Sequence, residues 1–216
     1  MNDKDGVVLL HGISRTRRSF RKMQAAIEAA GFATLNVGYP SRHHALEALA
    51  ADIHPAIARF TGSLEGHLHF VGHSMGGLLI RVYIATHRPK RLGRVVMLGT
   101  PNGGSEVADR LKSVSLYRAW FGPAGQQLVT RRDAATEAAL PLVDYPVGVI
   151  AGNRSVDPIS SVFLPKPHDG RVSVENTKLD GMADHLIIGT SHPWLPMNGL
   201  AIGQTIAFLR NGKFNV

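Results

Sequence analysis

The chain has 216 residues, the length of one domain with room for a small insertion, and its 44% hydrophobic content can fill a sizeable core, which argues against disorder. It has no cysteine, which excludes disulfides, thiolate metal sites and a cysteine nucleophile. Its 24 Lys and Arg against 16 Asp and Glu give a formal charge of +8, which favours anionic surfaces or substrates; the basic residues are not interleaved with stacking aromatics, so no nucleic-acid partner is expected.

Residues 1–6 are polar, without the basic stretch of a secretory leader, and no apolar run approaches the roughly 20 residues of a membrane-spanning helix. A soluble, cytoplasmic protein is expected, with no transmembrane segment. The apolar run 7–10 ends at His11-Gly12, the pattern of a strand buried on both faces. The cluster Arg15, Arg17, Arg18, Arg21 and Lys22 reads as the solvated face of a helix, with steering of acidic substrates or weak membrane-surface contact as its sharper alternative. Phe20, Met23, Ile27 and Ala30 are spaced as one helical face, stopped by Gly31. Residues 33–37 predict a second strand, halted by Gly38 and Pro40. Leu46, Leu49, Ile53, Ile57 and Phe60 predict a helix in which Pro55 is a candidate kink. Residues 68–71 predict a third strand, Leu78, Leu79, Val82 and Tyr83 the helix after it, and 95–98 a fourth strand. Between 102 and 145 the alternation lapses into candidate helical pieces at 105–111, 116–121 and 133–140. Strands at 146–151 and 185–188 and a helix at 201–209, stopped by Asn211-Gly212, complete the pattern. The expected fold class is α/β: one domain over 1–216, a mainly parallel sheet of about six strands with helices on both faces, and a helical insertion at about 102–145.

The strongest chemical signal is Gly72-His73-Ser74-Met75-Gly76, a G-x-S-x-G between an apolar strand and an amphipathic helix. A sharp strand-to-helix turn lifts a serine hydroxyl off the sheet, glycines two positions either side allow close backbone approach, and the helix N-terminus favours the negative charge formed on attack. An oxyanion hole needs two main-chain donors aimed at one point. The amide of Met75 is the first candidate. The amide of Ile13, in the loop His11-Gly12-Ile13, is the second, with His11 holding that loop.

Leu9-Leu10-His11-Gly12 followed by Gly72-His73-Ser74-Met75-Gly76-Gly77 resembles the α/β-hydrolase superfamily, and within it the small bacterial lipases and esterases. The resemblance implies a minimal form of that fold, lacking two N-terminal strands, and a catalytic order of serine, acid, histidine. His192, after the last strand, is then the expected base, and His185, at the start of that strand, a surface or interface histidine. Asp169, in His168-Asp169-Gly170-Arg171-Val172, resembles the Asp-Gly-x-Val segment that carries the catalytic aspartate in small bacterial lipases; Asp157 is the runner-up acid. Ser74, His192 and Asp169 would cleave carboxylic esters through an acyl-enzyme, needing no metal or organic cofactor. The eleven histidines are scattered, without metal-ligand spacing. Leu116, Tyr117, Trp120 and Phe121 in the insertion, with Trp194 and Leu195 after His192, are candidate pocket walls for a small-molecule ester with an apolar acyl chain. Thioesterase, amidase and acyltransferase chemistry share this machinery, and a non-catalytic binding protein that kept the fold is the alternative of a different class. The sequence carries no signal of oligomeric state.

Overall fold

The structure, a computed structural model, describes residues 4–156 and 164–215, with the side chains of 116–118 left aside. Among the described residues, six strands form one sheet: β1 (Gly6–Leu10), β2 (Ala33–Val37), β3 (Leu68–His73), β4 (Leu92–Leu98), β5 (Val147–Gly152) and β6 (Asp184–Ile188). The order is β2-β1-β3-β4-β5-β6, and every neighbouring pair is parallel. Parallel pairing requires crossovers, and helices supply them. They are α1 (Arg21–Ala29), entered through a 3₁₀ turn at Arg17–Phe20, α2 (Leu46–Gly62), α3 (Met75–His87), α4 (Glu106–Leu111), α5 (Ser115–Gln126), α6 (Ala134–Ala139), α7 (Val174–Thr177) and α8 (Gly199–Asn211). None is long and apolar enough to cross a membrane.

Strand side chains alternate between two cores, which explains why the strands read as continuous apolar runs. Val8, Leu10, Phe70, Val95, Met97, Val147 and Val149 face one core, shared with Leu49 and Ile53 of α2 and Leu79 and Val82 of α3. Val7, Leu9, Val71, Val96, Leu98 and Ile150 face the other, shared with Met23 and Ile27 of α1 and Phe208 and Leu209 of α8. Each fully buried aliphatic or aromatic side chain contributes about 1.5–3 kcal/mol of transfer free energy, so both layers are strongly held. Pro55 does not end α2, which continues to Gly62. Both Pro55 and Ala51, whose carbonyl loses its helical partner, are exposed to water.

The chain leaves β1 toward β2 on one side and resumes at β3 on the other, so the direction of winding reverses between β1 and β3. In open α/β sheets a crevice forms at the carboxyl ends of strands flanking such a reversal. The loop after β1 and the turn after β3 meet there, and the loops after β5 and β6 join them.

Candidate active site

One residue, Ser74, makes the turn from β3 into α3. Its backbone sits at φ 55°, ψ −127°, a conformation that costs a non-glycine residue about 1–3 kcal/mol. The turn is held because Ser74 N–H donates to Leu98 O (2.9 Å) and Gly77 N–H donates to Ser74 O (3.0 Å). The glycines of the motif allow the close approach this demands: a Cβ on Gly76 would stand 2.1 Å from Leu10 O, and one on Gly72 would stand 2.6 Å from Gly77 N. Ser74 is 8% exposed, and among the described residues its hydroxyl has no hydrogen-bond partner. The amide of Met75, first in α3, has no partner within the helix.

The loop after β1 packs against this turn. His11 is buried, donates from Nδ1 to Gly12 O (2.9 Å) and stacks on Tyr39 at 4.1 Å with the rings 7° from parallel. The Tyr39 hydroxyl donates to His11 O. Burial lowers the pKa of His11 and raises that of Tyr39, so both rings are neutral at physiological pH. Ser14 takes φ 56°, its N–H donating to Ser41 Oγ (3.1 Å), and Arg15 N–H donates to Gly12 O (3.2 Å). This tight loop brings Gly12 and Ile13 to the surface of the same cavity as Ser74.

His192 follows β6 and opens a 3₁₀ turn, His192–Met197. Its Nδ1 lies 2.7 Å from Asp169 Oδ2, and its N–H donates to Asp169 O (2.9 Å). Asp169 is fully enclosed, and its Oδ1 accepts the N–H groups of Arg171 and Val172, both at 2.9 Å. A carboxylate with three donors is fixed in direction, and the imidazole bonded to it is fixed too. Asp157 lies outside the described residues. His185 Nε2 donates to Thr177 Oγ1 (3.1 Å), whose own hydrogen goes to Val174 O, and it does not reach the cavity.

Ser74, His192 and Asp169 line one cavity of about 330 Å³. Of the candidate walls, Phe121 lines it, joined by Val107, Ala108 and Leu111 of α4 and by Leu128. Trp120 is 56% exposed with the Arg42 guanidinium 4.9 Å from its ring centre, and Trp194 is 55% exposed; neither lines the cavity. Leu195 turns inward and packs in the core with α8, because position 195 falls on the buried side of the 3₁₀ turn. The side chains of Leu116 and Tyr117 lie outside the described residues. Among the described residues no group of three or more His, Asp and Glu is placed to hold a metal ion.

Two cavity residues have no sequence signal of their own, His73 and Arg171; Arg15, expected with its basic neighbours on a solvated helix face, instead lies in the loop ahead of the 3₁₀ turn and lines the cavity. His73 is buried and donates from Nε2 to His192 O (2.9 Å), which ties the serine turn to the histidine loop. Only the position of His73, next to the serine, could have drawn attention to it.

Residues 6–144 match the family model described as alpha/beta hydrolase fold. Among solved structures, the chain is similar to the mature form of the Bacillus licheniformis lipase BlEst2, at 19% identity and a TM-score of 0.74, over 98% of this chain and 93% of that one. It is similar to the phospholipase PlaB from Legionella pneumophila at 18% identity and a TM-score of 0.72, over 94% of this chain and 56% of that one. It is also similar to the esterase RhEst1 from Rhodococcus sp. ECU1013 at 16% identity and a TM-score of 0.64, over 98% and 92% of the two chains. At such identities the likeness is one of fold.

Proposed function

Because the chain belongs to the α/β-hydrolase family, we propose that it is a serine hydrolase of carboxylic esters, esterase- or lipase-like, acting through an acyl-enzyme. One observation carries the reading: an imidazole oriented by a buried carboxylate at 2.7 Å opens on the same cavity as a serine on a strained strand-to-helix turn. The structural relatives are named as a lipase, a phospholipase and an esterase, which favours an ester over an amide.

In this mechanism Asp169 holds His192 with its proton on Nδ1, leaving Nε2 free to accept the Ser74 proton as Oγ attacks the carbonyl carbon. The amides of Ile13 and Met75 receive the oxyanion, whose charge the N-terminus of α3 also favours. The imidazolium then protonates the leaving alcohol. Water, deprotonated by His192, attacks the acyl-enzyme and releases the carboxylic acid and free Ser74. The helical insertion forms the apolar wall for the acyl chain, within one catalytic domain. A fluorophosphonate should label the protein stoichiometrically and stop turnover of p-nitrophenyl butyrate, and Ser74→Ala should lose both. Labelling that persists in Ser74→Ala, or an unlabelled native protein inert toward p-nitrophenyl esters of every chain length, defeats the reading.

A further inference from the structure

The cavity has two chemically different linings. Val107, Ala108, Leu111, Phe121 and Leu128 from the insertion give it an apolar wall. Two other loops add cationic groups: Arg15, three residues past Gly12 in the loop after β1, and Arg171, two residues past Asp169. Both arginines are exposed, and among the described residues neither guanidinium has an ion-pair or hydrogen-bond partner. Asp169 is the one carboxylate among the described lining residues, and its oxygens already accept from His192, Arg171 N–H and Val172 N–H. Nothing in the described cavity therefore neutralises the two arginines. The charge of Arg15 also reaches inward: after burial and the nearby His192, it helps to lower the proton affinity of His73. Guanidinium is weakly hydrated, and its planar fork matches the oxygens of a carboxylate or phosphate. Two such groups beside low-dielectric walls raise the local concentration of anions.

We propose that this cavity selects amphiphilic esters that carry an anionic group, carboxylate or phosphate, held by Arg15 and Arg171 while the apolar chain lies on the insertion wall. The proposal names the substrate class of the hydrolase reading and rests on it, but recognition of the anion is separable from turnover. Binding is measured by calorimetry on Ser74→Ala, with octyl phosphate, octanoate and neutral 1-octanol as probes. At about 0.02 M salt octyl phosphate should bind about tenfold more tightly than 1-octanol, and about 0.5 M salt should erase the difference. Octanoate binding as tightly as octyl phosphate identifies a single negative charge as sufficient; octanoate binding no better than 1-octanol assigns the site to phosphate. The combined Arg15→Gln and Arg171→Gln variant should lose the preference. Arg18→Gln, on the exposed 3₁₀ turn outside the cavity, should keep it. Equal binding of octyl phosphate and 1-octanol, or a preference that survives the double variant, overturns the proposal. Arginine-dependent binding of octyl phosphate by a native protein that no fluorophosphonate labels sustains anion recognition and sinks the hydrolase reading alone.

Discussion

His73 occupies the variable position of the G-x-S-x-G motif, yet it joins the serine turn to the histidine loop. Its Nε2–H donates to His192 O at 2.9 Å, and its Nδ1 is buried without a partner, so it offers one directed bond. Loss of that bond frees the His192 backbone while leaving Asp169 in place. His73→Phe should lower kcat about 10- to 100-fold with little change in KM, since displacement of a catalytic group by about 1 Å costs about that much. His73→Gln, whose amide N–H can reach the same carbonyl, should recover most of the rate; a Gln variant as slow as Phe removes the positioning role. Asp169→Asn tests the carboxylate itself. The amide oxygen can still accept from Arg171 and Val172, but the amide NH₂ facing His192 forces the ring proton onto Nε2, where it blocks uptake of the serine proton. Steady-state assays should show kcat down about 10³–10⁴-fold while thermal unfolding shows the fold retained. The serine and histidine candidates were legible because each sits in a local pattern, a glycine-flanked turn or the end of a strand, whereas Asp169, 17 residues past the end of β5, was a candidate only through the resemblance of its Asp-Gly-x-Val segment. The ties among the three were not legible. His11 stacks on Tyr39 from 28 residues away, and His73 reaches His192 across 119, and no window of sequence spans such contacts.

At the scale of elements, the helix α5 shows how a local rule and a tertiary contact combine. Pro123 disfavours the helical region for the residue before it, and Gly122 answers with φ 60° and ψ −161°, so the helix breaks and resumes. A Cβ at Gly122 would stand 1.6 Å from Arg42 O, so no other residue fits without moving the break. Phe121, adjacent to it, lines the cavity. Gly122→Ala should therefore cost about 1–3 kcal/mol in chemical denaturation. It should raise KM for p-nitrophenyl octanoate much more than for the acetate; an equal change in both separates the break from the acyl wall. The same region marks the boundary of what the sequence discloses. Residues 116–121 read as a helix, whereas its resumption to Gln126 is set by packing. β4 likewise begins at Leu92 rather than at 95, since Gly93 and Arg94 lack an apolar pattern. They join the strand through Leu68 pairing with Leu92 and Arg94 N–H donating to His69 Nδ1 at 2.8 Å. The cores of β1, β3, β4 and β5 were legible because both faces are buried, which leaves an apolar run with no helical period, whereas the edge strands β2 and β6 are only partly buried.

For the whole molecule, the buried histidines set how stability depends on pH. Burial holds His73 well below its ordinary pKa of 6.5, reinforced by the nearby His192, and burial lowers His11 as well. In the unfolded chain both rings regain ordinary behaviour and take up protons as the pH falls through 6.5, while the folded His73 ring stays neutral and the folded His11 ring takes up its proton only at lower pH. The unfolded state then binds more protons than the native state, so stability falls with falling pH below 6.5 and is flat above it as far as these groups are concerned. Each histidine held fully neutral contributes a slope of about 1.4 kcal/mol per pH unit in that window. The formal charge of +8 acts in the same direction, because carboxylate protonation at still lower pH increases self-repulsion in the compact state. Urea midpoints measured from about pH 7.5 to about pH 5, at constant ionic strength, should fall on the acid side, and His73→Gln should flatten that limb by one histidine's share. Midpoints that rise toward acid, or a slope identical in the variant, would show that the ring at position 73 takes up its proton in the native state, and the neutral His73 that donates from Nε2 alone would have to be abandoned.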